Sequence, residues 1–285
     1  RDRGKYEQAL SYYERLLAIR EKNLASEHPD VALSLNFVGH VYADLAKYQE
    51  ALKYYQRARK IYENNPESQT DKYSSVLNNI AIVYSYLGNN KEAIILYEKS
   101  LEITEKTWGN ESSQITKTLS NLGNSYEELG NYQKAEELYK RSLTIAEKRY
   151  AKAVNAKLLE DAAYLSFSAE NFAASLRQLA GLYQNQGKYQ DAIQLYKRAQ
   201  TIIENQFGIE HPQVARIING LALVYKKQGK YQEALQLYQR SEKIFAKSFG
   251  TEHPEYATYL GNLANLYQEQ GNYAESLSLF ERALK

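Results

Sequence analysis

Paired carboxylates and histidines are the residues of this chain whose types suit catalysis or metal binding. Glu127-Glu128 and Glu136-Glu137 are adjacent pairs, whereas general acid–base catalysis needs two carboxyls that converge in a water-poor pocket. Adjacent residues on a helix diverge by about 100°, so these pairs belong to a solvated face. Three of the four histidines recur in one tripeptide, Glu-His-Pro, each in a different repeating unit of the chain, and regular stacking of the units would keep them too far apart to share a metal ion. These are His28, His211 and His253.

Other residues and motifs that are typical of enzyme active sites are absent from the sequence. The chain contains no cysteine, which excludes thiolate nucleophiles and cysteine-based metal sites and favours a cytoplasmic setting. Its glycines never form a G-x-G-x-x-G or G-x-x-x-x-G-K-[ST] motif, and its serines lack a G-x-S-x-G elbow. We therefore expect no enzymatic activity, no cofactor and no bound metal.

The charge balance limits the class of partner. Lys and Arg number 36 against 34 for Asp and Glu, a net charge of +2, so no global field attracts nucleic acid or an anionic membrane. No apolar run approaches the roughly 20 residues that span a bilayer. Nucleic acids and membranes are therefore not expected as partners.

A short segment recurs along the chain at a fixed period. Gly4–Leu10 is repeated as Ala46–Leu52, at a spacing of 46 − 4 = 42 residues. One interval is longer, from Gly130 to Gly187, or 187 − 130 = 57 residues. A fixed period of this size indicates a solenoid. The segment begins at Gly4, Ala46, Gly88, Gly130, Gly187, Gly229 and Gly271.

Each repeat contains two helical patterns. Apolar residues lie at i, i+3, i+4 and i+7 from Leu35 to Tyr42, and at i, i+4 and i+7 from Ala51 to Ala58, and both spacings predict helices. The corner between them is usually glycine, which can adopt a positive φ at a helix end. The proline after each repeated histidine begins the next first helix, where its missing N–H has no partner to lose.

Register by register, the unit resembles the tetratricopeptide repeat. A small residue and then a tyrosine mark the first helix, as at Gly39 and Tyr42, and Ala51 and Tyr55 mark the second. The length and the His-Pro start look like the repeats of kinesin light chains, and bacterial multidomain proteins carry related arrays. The resemblance implies an all-α, right-handed superhelical solenoid of antiparallel helix pairs, with first helices lining a concave groove that binds proteins.

The repeat boundaries predict a single array over residues 1–285. The longer interval holds 57 − 42 = 15 extra residues rich in Ala, Leu and Lys, which favour helix, so we expect a helical insertion at about 151–167. Both ends cut a repeat and methionine is absent, so we expect a fragment of a longer protein. The units lie near 1–27, 28–69, 70–111, 112–150, 168–210, 211–252 and 253–285.

Polar side chains recur on the side of the first helices that the packing leucines leave exposed. Asparagine is a mediocre helix former with both donors and acceptors, so its repetition suggests contact with the backbone of an extended peptide. The alternative is a hydrogen bond between neighbouring repeats. Basic residues there suggest an acidic peptide, or they are ordinary surface charge. The predicted peptide-binding residues are Asn36, Asn78, Asn121, Arg177, Arg216, Asn219, Lys226, Lys227 and Asn262.

These features predict a protein–protein interaction scaffold that binds a peptide or protein segment in its groove. Affinity would come from pre-organisation, because a rigid groove loses little entropy on binding. The alternative is a regulatory or sensor arm of a larger enzyme or signalling protein whose catalytic domain lies outside this segment. A third hypothesis is architectural, with exposed solenoid ends pairing into oligomers.

Overall fold

The computed structural model describes residues 2–65, 71–155 and 162–284, which form thirteen α-helices joined by short corners. These residues contain no β-strand, and the predicted all-α class is confirmed. The helices are α1 (Asp2–Asn23), α2 (Pro29–Asp44), α3 (Tyr48–Asn64), α4 (Asp71–Tyr86), α5 (Asn90–Trp108), α6 (Gln114–Glu128), α7 (Tyr132–Asn155), α8 (Ala162–Asn185), α9 (Tyr189–Phe207), α10 (Pro212–Lys227), α11 (Tyr231–Phe249), α12 (Tyr256–Glu269) and α13 (Tyr273–Ala283).

The chain divides into two compact units, Arg1–Ile145 (unit 1) and Ala146–Lys285 (unit 2). Within a repeat the two helices pack against each other as an antiparallel hairpin, as α2 and α3 or α4 and α5 do in unit 1, and α8 and α9, α10 and α11 or α12 and α13 do in unit 2. We call α2, α4, α6, α8, α10 and α12 the first helices, and α1, α3, α5, α7, α9, α11 and α13 the second helices. Five second helices also contact the first helix that follows them: α1, α3 and α5 contact α2, α4 and α6 in unit 1, and α9 and α11 contact α10 and α12 in unit 2.

The corners inside the hairpins have the left-handed backbone that the glycines predict. Gly88 has a φ of 79°, and the N–H of Asn89 donates to the carbonyl of Tyr84 at 2.8 Å. This bond ends the first helix and leaves room for the second to begin at once. Ala46 occupies the same corner with a φ of 56°, a conformation that costs an L-residue more than glycine.

Two of the repeated histidines, His28 and His211, are the N-caps of α2 and α10. The predicted helix start at Pro254 is wrong, because α12 begins two residues later, at Tyr256, and His253 lies in the turn before it. The Nδ1 atoms of His28, His211 and His253 accept hydrogen bonds from the backbone N–H two residues later, at 3.1, 3.3 and 3.2 Å. The bond satisfies a backbone donor at the helix start that has no partner within the helix. The ring of His211 also stacks on Phe207, with centroids 4.6 Å apart. Their repetition therefore has a structural cause.

Small residues in the first helices allow close contact with a tyrosine from the second. A Cβ atom on Gly39 would lie 2.7 Å from the Tyr55 ring, and one on Gly123 would lie 2.5 Å from the Tyr139 ring. Either would clash, so glycine is needed for this packing distance. Four tyrosines of this register are buried, and burial raises the pKa of their hydroxyls. They are Tyr55, Tyr97, Tyr139 and Tyr238.

Ion pairs join successive second helices at a constant register. Arg57 pairs with Glu21 at 2.8 Å, and 36 residues separate them. The same acidic and basic positions pair again in later repeats, and the insertion lengthens only one of the separations, to 51 residues. The sequence analysis missed this register. The further pairs are Lys99–Glu63 at 3.7 Å, Arg141–Glu105 at 2.5 Å, Arg198–Glu147, and Arg240–Glu204 at 2.8 Å.

The insertion lengthens the two helices beside it. Residues 151–155 end α7 and residues 162–167 begin α8, and each helix has 24 residues against 15 in α6 and 19 in α9. Residues 156–161, the rest of the predicted insertion, lie outside the described residues. The predicted unit boundaries, and their extension over the whole chain as a single array, remain predictions.

Candidate partner-binding surface

The first helices form a row in each unit. In unit 1, α2 contacts α4 and α4 contacts α6, and in unit 2, α8 contacts α10 and α10 contacts α12. We call the solvent-facing side of these helices the first-helix face. In α2 it is defined by Asn36, Phe37 and His40, and in the other first helices by the equivalent residues. Every predicted peptide-binding residue lies on a first helix, at or beside this face.

Two asparagine pairs bridge neighbouring first helices. In unit 1 the Nδ2 of Asn79 donates to the Oδ1 of Asn36 at 3.0 Å, and in unit 2 the Nδ2 of Asn262 donates to the Oδ1 of Asn219 at 3.1 Å. Both pairs join residues 43 apart. We call each pair a rung. The sequence left open whether these amides bind a peptide or a neighbouring repeat, and the structure places them in bonds between repeats.

A rung leaves most of the hydrogen-bonding capacity of its two amides unused. Each Asn side chain has two N–H donors and an oxygen with two lone pairs, and a rung takes one donor and one lone pair. The Oδ1 of Asn78 only receives a long 3.5 Å bond from the hydroxyl of Thr118. Asn121 is half-buried and has no hydrogen bond to another described residue. The first-helix face can therefore still bind the N–H and carbonyl groups of an extended chain.

The four basic residues predicted in unit 2 differ in how they are paired. Arg216 bonds both carboxylate oxygens of Glu255 at 3.0 to 3.2 Å, and Lys226 pairs with Glu269 at 3.0 Å. Both acidic partners belong to the next hairpin, so they largely neutralise these two cations. Arg177 and Lys227 have no ion pair with the described residues. Arg177 is half-buried and Lys227 is exposed.

Aromatic side chains add an apolar part to the face in unit 1, which the sequence analysis missed. Tyr86 is 69% exposed and stacks on Tyr48 with ring centroids 5.5 Å apart. A comparison of repeats could have found Tyr86, because the equivalent residues in α2 and α6 are Asp44 and Glu128. An exposed tyrosine at an otherwise acidic position is a suitable contact for a partner side chain.

A cavity of 350 Å³ lies at the C-terminal end of the first helices of unit 2. Asn265 and Gln268 supply exposed amides, and the ring of Tyr273 is 70% exposed. The Lys226–Glu269 ion pair lines another side. Neutral amides beside an aromatic ring suit a polar polypeptide segment more than a charged small molecule.

Two other kinds of site were sought in the part of the chain that the structure describes. No group of three or more His, Cys, Asp or Glu residues there is placed to hold a metal ion. Each helix in that part is too short or too polar to cross a lipid bilayer.

The family model of the tetratricopeptide repeat matches residues 1–64, 72–148, 171–247 and 214–285, together well over half of the sequence. The chain belongs to the tetratricopeptide-repeat family. The resemblance stated from the sequence is thereby confirmed. No curated protein matches this tetratricopeptide-repeat chain in sequence.

Solved structures show the same fold. The apo form of RapI matches with a TM-score of 0.71 and 19% identity, over 99% of this chain and 91% of RapI. A kinesin light chain of Podosopora anserina with nearly identical TPR-like repeats matches with a TM-score of 0.61 and 25% identity, over 78% of this chain and 98% of its own.

A third similar structure is a signal transduction ATPase with numerous domains from Pyrococcus horikoshii, which has a tetratricopeptide-repeat sensor. It matches with a TM-score of 0.66 and 20% identity over 99% of this chain. The match spans 39% of that protein's length. At these identities the likeness to RapI and to the ATPase concerns the fold alone.

Proposed function

We propose that this tetratricopeptide-repeat chain is a protein-interaction module that holds an extended segment of a partner protein along the first-helix face. The observation that carries the proposal is the unused polar capacity of that face. Amides recur there with free donors and acceptors, as at Asn121, and two cations of unit 2 have no ion pair with the described residues. An extended segment presents backbone N–H and carbonyl groups at regular intervals, which such amides can bind.

The charge of the face supports an acidic partner segment in unit 2. Arg177 and Lys227 supply positive charge that Glu255 and Glu269 do not neutralise, because those carboxylates are paired with Arg216 and Lys226. Reversing Arg216 would also break a contact between repeats, so a change in binding could not be separated from a change in folding. Arg177 and Lys227 are therefore the better residues for a test.

Peptide selection on the intact chain tests this proposal. A phage-displayed library of random dodecapeptides is enriched on the wild-type protein, and the enriched peptides are measured by fluorescence anisotropy. We expect Lys227→Glu to lower the affinity for acidic peptides by about tenfold and to reduce the salt dependence of their binding. Lys243→Glu is the matched control, because Lys243 is exposed on the second helix α11 and undergoes the same charge change.

Two results would contradict the proposal. One is that no linear peptide is enriched. The other is that Lys243→Glu abolishes binding while Lys227→Glu leaves it unchanged, since the partner would then lie on the second helices. The alternative function, a regulatory or sensor arm of a larger protein, has a model in the Pyrococcus horikoshii ATPase with its repeat sensor. The coding sequence on either side of this segment distinguishes the two hypotheses.

A further inference from the structure

A cavity of 530 Å³ lies beside the second helices of unit 1. Its walls are the last turn of α5, the loop that joins α5 to α6, and α7. None of the described residues that line it belongs to a first helix, so the cavity lies apart from the first-helix face. Cavities that hold small ligands have volumes of about 300 to 1,000 Å³. The lining residues are Glu105, Asn110, Glu111, Arg141, Thr144 and Ile145.

The short side chain of Thr144 leaves room for this cavity. Its hydroxyl donates to the carbonyl of Lys140 at 2.9 Å, which holds the side chain against its own helix. The equivalent residues of α3 and α11 are Lys60 and Lys243, since 144 − 60 = 42 + 42 and 243 − 144 = 57 + 42. A lysine at this position of α7 would extend over the space that the threonine leaves.

An ion pair with unused hydrogen-bonding groups lines the cavity. Nη2 of Arg141 lies 2.5 Å from Oε1 of Glu105 and donates to the carbonyl of Asn110 at 3.2 Å. Arginine has five N–H donors, and those on Nε and Nη1 of Arg141 make no hydrogen bond with another described residue. The same is true of Oε2 of Glu105. A cation with free donors and an anion with a free acceptor therefore lie side by side at the cavity.

This arrangement of charges indicates the kind of ligand that fits. A ligand with a single charge is attracted by one member of the pair and repelled by the other, whereas a zwitterion is attracted by both. A free α-amino acid carries a carboxylate and an ammonium group on one carbon atom. Ile145, which is 3% exposed, offers an apolar contact to its side chain. Glu111 interacts with another residue of the protein, so it is not counted among the ligand contacts.

We propose that this cavity binds a free α-amino acid, whose carboxylate accepts from the unused N–H groups of Arg141 and whose ammonium group donates to Glu105. Such charge-assisted hydrogen bonds are stronger than neutral ones. The ligand contacts two successive second helices and the loop between hairpins, so its binding stabilises their packing. The inference goes beyond the proposed function and does not rest on it, because no peptide on the first-helix face is required.

Calorimetric titration of the intact chain with each of the twenty common L-amino acids tests the proposal. We expect at least one of them to bind with a dissociation constant of about 1 mM or lower. Two analogues of that amino acid then test the zwitterion. The amine that lacks the carboxylate and the N-acetyl derivative that lacks the positive charge should each bind at least about tenfold more weakly, the size of one lost charge-assisted bond.

Thr144→Lys tests the location without touching the ion pair. It introduces the residue that α3 and α11 have at this position, and we expect it to abolish the heat of binding. Thr201→Lys is the matched control. Thr201 is the equivalent residue of α9, is also exposed, and its hydroxyl donates to the carbonyl of Lys197 at 3.1 Å.

Arg141→Lys tests the ligand carboxylate while it keeps the ion pair. Lys99 pairs with Glu63 in the same register, so lysine is compatible with the packing, but it has fewer donors to share with a ligand. We expect the affinity to fall by about tenfold. Arg240→Lys is the matched control, because Arg240 pairs with Glu204 and donates to a loop carbonyl as Arg141 does. Urea unfolding of all four variants checks that each is folded.

Three outcomes would overturn the inference. The first is that none of the twenty amino acids binds. The second is that the amine or the N-acetyl derivative binds as tightly as the amino acid, and the third is that Thr144→Lys binds it like the wild type. Failure of the proposed function is distinguishable, because it is measured with dodecapeptides and Lys227→Glu, and Thr144→Lys should bind those peptides as the wild type does.

Discussion

At the scale of single residues, the capping histidines connect helix formation to protonation. Nδ1 of His211 accepts the N–H of Gln213, and only a neutral imidazole has a nitrogen that accepts. Burial lowers the pKa of His211, Glu170 raises it and Arg216 lowers it, with a net shift below the ordinary value. The folded protein therefore favours neutral His211 more than the unfolded chain does.

The expected consequence is a loss of stability in mild acid. The pKa of His211 in the folded protein lies below that of the unfolded chain, which is about 6.5 for histidine. The contribution of His211 to the free energy of unfolding is therefore complete above the unfolded pKa and is lost as the pH falls through the folded pKa. We predict that His211→Asn, which caps without titrating, loses less unfolding free energy than the wild type between pH 7.5 and 5.5. Because a cap is worth about 1 kcal/mol, the difference should not exceed that amount.

Urea unfolding of both proteins at the two pH values measures this difference. His28 and His253 are present in both proteins, so they do not contribute to the difference between them. Equal losses in the two proteins would show that the His211 cap does not respond to protonation in this range.

At the scale of helices, the ion pairs between second helices act across hairpins. Glu105 and Arg141 have side chains that are 25% and 36% exposed, and Arg141 also donates to the carbonyl of Asn110 at 3.2 Å. Partial burial and the hydrogen bond to Asn110 hold the arginine in one orientation, which reduces the entropy lost on pairing. The register ends at α13, because Ala246 replaces the acidic residue and Arg282 bonds the hydroxyl of Tyr256 instead.

A double-mutant cycle on Glu105 and Arg141 measures this contact. We predict a coupling free energy of about 1 kcal/mol, the upper end of the range for surface pairs, from the urea unfolding of Glu105→Ala, Arg141→Ala and the double variant. The pair Lys106–Glu102, within one helix and more than half exposed at both side chains, is the control and should couple less. Equal coupling free energies in the two pairs would show that an ion pair between hairpins contributes no more to stability than an exposed pair within one helix.

The sequence predicted the helices better than it predicted the contacts between them. Corners and helix starts could be found because Gly88 and His211 act on the local backbone. The pairing of Arg216 with Glu255 could not, since the two residues are 39 apart and face each other only when hairpins stack. The predicted basic residues therefore include two, Arg216 and Lys226, that pair with carboxylates of the next hairpin. The asparagine rungs were predicted only as the alternative to peptide contact. The sequence pattern shows that these side chains are exposed, but it does not show whether they contact a neighbouring repeat or a ligand.

At the scale of the whole molecule, each unit depends on contacts between neighbouring hairpins. Ile193 in α9 is 8% exposed and Leu277, the equivalent residue in α13, is 60% exposed. The difference arises because α10 packs against α9, whereas no later helix follows α13 in the described residues. Self-association through such an exposed end remains a prediction. In a stack of this kind, stability is close to a sum of terms for single repeats and their interfaces.

A shortened chain tests this additivity in unit 1. We predict that deleting the 42 residues from Asp71 to Ser112 leaves a folded protein with one hairpin fewer. The register then places Asn121 opposite Asn36, because 121 − 42 = 79, and Arg141 opposite Glu63, because 141 − 42 = 99. Both new pairs have the same chemistry as the rung and the ion pair that they replace.

Far-UV circular dichroism per residue and the cooperativity of urea unfolding measure the outcome. Deletion of 36 residues, Asp71 to Lys106, is the control, because it removes a similar length and shifts every register. The prediction fails if the 42-residue deletion unfolds or aggregates as the control does.

The constant separation of paired residues also determines how a gene for such an array can change in length. A recombination event that loses or duplicates the codons of one whole repeat leaves the reading frame intact. It also leaves asparagine opposite asparagine and a basic residue opposite glutamate in unit 1, as with Asn36 and Glu63. Under the function proposed above, the length of the partner segment that binds the array would thus change by whole repeats in one genetic step. The 57-residue interval before Gly187 keeps the same register, because Arg198 still pairs with Glu147 across its 15 extra residues.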